Sequence, residues 1–126
     1  MEGFPVLYKI SSPLLDRIDI LLTVPAVEYE KLTEARVGES SKNIRELVVR
    51  TRQVQEQRFQ NSSSRNNSGM NRKELGTHAE LGDSSRKILQ QAMTKMSLRA
   101  WAYDRILKVA RNIADLAGQQ KLIHLM

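Results

Sequence analysis

One short run, Ile18-Asp19-Ile20-Leu21-Leu22-Thr23-Val24, is aliphatic and β-branched and stops at Pro25. Its length and composition favour a buried strand over a helix. Nothing else in the 126 residues has that character. A strand must pair its backbone N–H and C=O groups, and one strand is not a sheet. The expectation is therefore a mainly α chain with one N-terminal strand, whose ladder partners lie outside these residues. Segment 1–38 reads as the tail of a sheet-containing core, and 39–126 as a helical domain.

The helical reading rests on spacing and caps. After Glu39-Ser40-Ser41, the residues Ile44, Leu47, Val48, Thr51, Val54 and Phe59 recur near every third or fourth position. That pattern predicts an amphipathic helix from Ser41 to Gln60, with Lys42, Arg45, Arg52 and Arg58 on its other face. Segment 61–71 is Asn-Ser-Ser-Ser-Arg-Asn-Asn-Ser-Gly-Met-Asn, which has almost nothing apolar to bury and predicts a flexible loop. Asn71 can cap a short helix over Arg72–Leu75. Asp83-Ser84-Ser85 opens a helix to Met96 with Ile88, Leu89, Ala92, Met93 and Met96 inward. Ser97 then caps a longer helix ending before Gly118, a good C′ residue. Its apolar stripe is Ala102, Ile106, Val109, Ala110, Ile113, Ala114, Leu116 and Ala117. Leu122 to Met126 reads as the start of a further helix. The result is a bundle of three to four helices.

Composition removes several kinds of chemistry. The chain has no cysteine, so disulfides, thiolate metal sites and cysteine nucleophiles are excluded. No apolar run reaches the roughly 18 residues of a membrane span, and the first residues do not form a signal peptide. A cytoplasmic protein with no membrane partner is expected. Aromatic residues are only 5%, so the core should be aliphatic. The net charge of +6 is uneven: residues 1–38 carry an excess of two negative charges, and residues 39–75 and 76–126 an excess of four positive charges each. A basic helical part can attract nucleic acid or nucleotide phosphates, or simply solubilise the surface.

Little in the chain can catalyse by itself. There is no phosphate-cradling Gly-x-x-x-x-Gly-Lys-Ser/Thr loop and no Gly-x-Ser-x-Gly elbow. His78 and His124 lack metal-ligand spacing and read as packing or surface residues. The informative stretch is Leu14-Leu15-Asp16-Arg17-Ile18-Asp19. It sets an arginine at a turn before the candidate strand, where it can reach a neighbour's nucleotide. A planar guanidinium suits the charge that develops on a transferring γ-phosphoryl group. Pairing of Arg17 with Asp16 or Asp19 to stiffen the turn is the structural alternative.

Tyr8 to Ile20, with Lys9-Ile10-Ser11-Ser12-Pro13-Leu14-Leu15-Asp16-Arg17-Ile18-Asp19, closely resembles a stretch of magnesium-chelatase-like AAA+ ATPases of the ComM/YifB type. Val24-Pro25, Gly38-Glu39-Ser40-Ser41, Glu56-Gln57-Arg58-Phe59, Leu89 to Met93 and Ser97 to Gly118 resemble the same family. Ser12 departs from it, standing where the family has glycine. The resemblance implies the C-terminal part of a larger ring-forming ATPase: the last strand of an AAA+ core and its helical lid. It implies that Arg17 is an arginine finger acting in trans and that Arg99 is the sensor-2 arginine, with Arg105 and Arg111 as alternates. ATP and Mg²⁺ would be cofactors of the full-length parent and not of this segment alone. The implied partners are an AAA+ core, identical subunits in a ring, and DNA, on which ComM-type proteins act at branched junctions in recombination and natural transformation. A subunit of a chelatase-like complex and a purely structural interaction domain are the other readings.

Overall fold

The computed structural model describes residues 10–26, 29 and 38–122. The chain divides into two compact units, 1–36 and 37–126. Among the described residues it is mainly helical, with five helices and no strand.

In the first unit, helix α1 is a single turn, Ser12–Leu15, with Pro13 near its start. Proline suits that place, because the first-turn N–H groups have no partner within a helix. The expected strand at Ile18–Val24 is not formed: these residues take no regular structure and are exposed, Leu22 at 83% and Val24 at 84%. The physical reason is the one that made the run unusual. A strand is held by its neighbours, and no ladder partner exists among the described residues. The helical turn expected near Tyr29 lies almost wholly outside them.

The second unit begins with α2, Ser41–Arg58. Its N-cap is Ser40, whose Oγ accepts from the Asn43 N–H at 3.2 Å. A 3₁₀ turn, Asn67–Gly69, leads to α3, Arg72–His78. Helix α3 starts with a full capping box: Asn71 Oδ1 accepts from Glu74 N at 3.0 Å, and Glu74 Oε2 accepts from Asn71 N at 2.9 Å. Helix α4 spans Asp83–Lys95 and α5 spans Ala100–Leu116. An isolated parallel bridge joins Leu81 to Leu122. The helix expected from Leu122 onward falls at residues 123–126, outside the described part.

Both long C-terminal helices stop in the same way. After α5, Gly118 has φ +69°, its N–H bonds to Asp115 O, and Gln119 N bonds to Ala114 O at 2.8 Å. After α4, Ser97 has φ +48°, its N–H bonds to Thr94 O, and Leu98 N bonds to Met93 O at 3.0 Å. Each is a Schellman ending. Ser97 is therefore not the cap of the following helix. It closes α4 in the left-handed region that serine rarely adopts, and Arg99 takes the N-cap position of α5.

The apolar core is small. It comprises Phe59, Met70, Leu75, Ala79, Leu107, Ala114 and Leu122, with Leu81, Leu89 and Ala110 packed against it. Fully burying one such leucine contributes about 1.5–3 kcal/mol. The helix faces are only partly those that hydrophobic spacing predicts: Thr51, Phe59, Ala102 and Ala114 are buried as expected, and other positions of the stripes are not. On α2 the buried residues are Thr51 and Gln55, while Ile44, Val48 and Val54 are exposed. On α4 none is buried, and Ile88 and Met96 are exposed. On α5 the buried set is Ala102, Leu107, Arg111, Ala114 and Asp115, with Ile106, Ile113 and Leu116 outside.

Candidate functional site

The interior of the second unit is organised by one carboxylate. Asp115, in the last turn of α5, is gripped from two sides. Arg58, the last residue of α2, donates through Nη1 to Oδ2 at 2.7 Å and through Nη2 to Oδ1 at 2.6 Å. Arg111, one turn earlier on α5, donates through Nε and Nη2 to Oδ1 at 3.0 and 2.8 Å. The Arg58 bonds form a planar fork of charge-assisted contacts. Asn67 adds a further bond, Nδ2 to Asp115 Oδ2 at 2.7 Å, and its Oδ1 accepts from Arg58 Nη1 at 2.8 Å. Gln55 and Asn112 complete the layer, the amide of each facing Asn67 or the other.

Burial alone would raise the Asp115 carboxyl. The hydrogen bonds from Arg58 and Asn67 and the charges of Arg111 and Arg58 outweigh that, and hold it below the ordinary aspartate value. His78 moves down as well. Burial is the main cause, and Arg58 and Arg111 add to it against the opposing pull of Glu74. The ring of His78 packs edge-on to Phe59 at 5.6 Å between centroids, as a packing residue does.

Arg111 does more than pair with Asp115. It is 1% exposed, and its guanidinium also donates to the backbone carbonyls of Gln120 at 2.9 Å, of His78 at 3.4 Å and of Gln119. It is thereby removed as an alternate nucleotide sensor, because a side chain so buried and so committed cannot reach a phosphate. Arg105 lies 4.7 Å over the Trp101 ring. Arg99 is exposed at the head of α5. In the first unit, Arg17 is exposed in the turn after α1, its N–H bonded to Leu14 O at 3.0 Å. Ser12 is a helical residue with no left-handed backbone, so that position makes no demand for glycine.

Segment 61–71 is also different from the loop its composition suggests. Asn67 is 0% exposed, and Ser64 and Met70 are buried. Glu74 accepts from Ser64 Oγ at 2.7 Å and from Ser62 Oγ, and these bonds with the Asn71 N–H keep its carboxyl low. Lys108 Nζ donates to Ser68 O at 2.8 Å. Side-chain amides and hydroxyls here add to the segment's one apolar anchor, Met70. Sequence reasoning missed Asn67 and Asp115. The one local signal was Arg111 and Asp115 at i and i+4, an ion-pair spacing on a helix otherwise rich in apolar residues.

Among the described residues, no group of three His, Asp or Glu side chains could hold a metal ion, and no helix is long and apolar enough to cross a membrane.

Comparison with known proteins gives the family. Residues 38–124 match the family model described as magnesium chelatase, subunit ChlI C-terminal. The competence protein ComM of Haemophilus influenzae is 37% identical over 117 residues, covering 92% of this chain and 22% of that protein. YifB of Salmonella typhimurium is 31% identical over 122 residues, covering 94% and 23%. YifB of Escherichia coli is 31% identical over 111 residues, covering 87% and 21%. The chain thus spans about a fifth of the length of these relatives. With the described residues of the polar-cored helical unit, 38–122, inside the matched region, the chain belongs to the magnesium chelatase subunit ChlI C-terminal family and is of the ComM/YifB type.

Proposed function

We propose that this chain is the lid and subunit-contact part of a cytoplasmic, ATP-driven AAA+ ring motor that acts on branched DNA in recombination and natural transformation. The observation that carries the reading is Arg99. It stands exposed at the N-cap of α5, a 17-residue helix whose far end is fixed by the Arg58–Asp115–Arg111 grip. A guanidinium at the tip of a firmly anchored helix suits a part that closes on a phosphate held elsewhere and reports its state to the lid. The competence protein among the relatives supports the DNA side of the reading.

The donor set here fits contributing to an ATP site rather than holding one. Arg17 and Arg99 each offer one exposed guanidinium, and the chain has no phosphate loop. ATP with Mg²⁺, bound by an AAA+ core, would supply the phosphoryl group. Arg17 would stabilise negative charge on it from the neighbouring subunit, and Arg99 would couple its presence to lid position. The exposed Ile106, Ile113 and Leu116 face of α5 supports a unit that packs against further protein.

The test uses the parent protein that joins this segment to an AAA+ core. Arg17→Ala should lower ATP turnover by about 10³-fold, the smaller end of an arginine finger's contribution, and leave nucleotide binding intact. Arg99→Ala should uncouple nucleotide binding from lid closure. Unchanged turnover in Arg17→Ala together with unchanged coupling in Arg99→Ala would overturn the reading.

A further inference from the structure

Two adjoining cavities, of about 250 and 500 Å³, lie against α2 and share Arg52 and Asn66 as walls. Leu116 and Asn112 of α5 also line the first, and Arg65 and Gln60 the second. Arg52 and Arg65 are both exposed. Glu56 is the only carboxylate on either wall. Asn66 Oδ1 is turned to the protein, accepting from Ser68 Oγ at 2.6 Å and Gly69 N at 3.2 Å. Its amide nitrogen is the part left for a ligand.

What lies beneath the floor adds to this. Gln55, on the wall of the first cavity, belongs to the layer that holds Arg58, Arg111 and Asp115. Two guanidiniums share one carboxylate there, which leaves one positive charge in excess. The three carbonyls on Arg111 disperse part of it but cannot neutralise it. Buried charge is poorly screened, so its field extends to the cavity above. Lys108, tied to Ser68 O, adds a further cation beside the same wall.

We propose that this Arg52–Arg65 trough binds the phosphodiester backbone of a DNA strand. The proposal rests on the DNA reading above and assigns it a surface. Exposed guanidiniums supply the direct phosphate contacts, the Asn66 amide supplies a neutral donor between them, and the excess interior charge favours an anion over water. No base edge is read, so the contact is indifferent to sequence.

The test is binding of a fluorescein-labelled oligothymidylate to the 126-residue chain, followed by anisotropy through a salt titration. On a single strand each phosphate contact contributes about 0.7 to the slope of log affinity against log salt, and therefore about fivefold in affinity at about 0.1 M salt. Arg52→Ala and Arg65→Ala should each weaken binding by about fivefold and flatten the slope by about 0.7. Arg50→Ala, an exposed arginine of α2 that lines neither cavity, should change little. Circular dichroism checks that each variant keeps its helices. An equal loss in Arg50→Ala, no loss in the Arg52→Ala/Arg65→Ala double variant, or no binding by the unaltered chain would each overturn the trough. DNA stimulation of the parent's ATPase separates the two failures. Stimulation that survives the double variant keeps the DNA motor and removes the trough, whereas no stimulation in the unaltered parent removes the motor.

Discussion

The centre of the helical unit and its outer faces are built against the usual order. At the centre, Arg111, Asp115, Asn67 and Gln55 are packed together out of water, and the half-buried Arg58 reaches in to them. On the outside, Ile44, Val48, Ile106, Ile113 and Leu116 are exposed. An apolar interior would set helix orientation loosely, since one aliphatic contact substitutes readily for another. A carboxylate that must meet two guanidiniums and an amide at hydrogen-bond distance admits one arrangement. The difference teaches that the polar residues aim the helices in this unit and that the apolar ones are partly left for other surfaces.

The strongest way to break that contrast is to neutralise its centre. Asp115→Asn leaves the buried Arg111 and the half-buried Arg58 without their carboxylate, and should cost about 3–5 kcal/mol in urea unfolding. If the loss were under about 1 kcal/mol, the apolar cluster would be the true organiser. Acid should act in the same direction. The native carboxyl of Asp115 lies below its unfolded value, so the unfolded state binds the proton first as pH falls. Its contribution is complete above the ordinary aspartate pKa of about 4 and disappears as pH drops through the lower native value.

A smaller loss is expected one layer out. Asn67→Ala removes the amide that bonds Asp115 and Arg58, and should cost about 1–3 kcal/mol. Ser63→Ala, exposed in the same segment, should stay within about 0.5 kcal/mol. Equally small effects would restore the reading of 61–71 as a flexible loop. The smallest effect belongs to the outer face. Ile113→Ser, at a residue 48% exposed, should change the stability of the chain by no more than about 0.5 kcal/mol. A large loss there would mean that the face is already in use within this unit.

The sequence made most ends of the helices legible, Ser97 excepted, and left their orientation hidden. Ser40, the Asn71/Glu74 pair and Gly118 announce their roles because a cap is decided within four or five residues. Orientation is decided by pairs far apart in the chain. Arg58 and Asp115 are separated by 57 positions, and nothing in either neighbourhood marks the other. Hydrophobic spacing therefore selected Ile44, Val54 and Ile113 as inward residues alongside Thr51 and Ala114, and missed Gln55, Arg111 and Asp115. The Ile18–Val24 run shows the same limit from the other side. Its composition is that of a strand, but strand formation depends on neighbours that residues 18–24 cannot specify. Of the candidate sites, Arg111 could be resolved by its burial. Arg17 and Arg99 are exposed, and their roles are for the parent protein to decide.

The hold of Arg111 on the carbonyls of Gln119 and Gln120 also makes the end of α5 a mechanical junction. A pull on residues 119–122 is resisted by that guanidinium together with the Gln119 N–Ala114 O bond and the Leu81–Leu122 bridge. It passes to Asp115, and from there through Arg58 to the far end of α2 and through Asn67 to the 3₁₀ turn. The same guanidinium reaches the end of α3 through His78 O. Tension at one short segment is thus shared among three elements within a few hydrogen bonds, as in a knot that tightens when any strand of it is drawn.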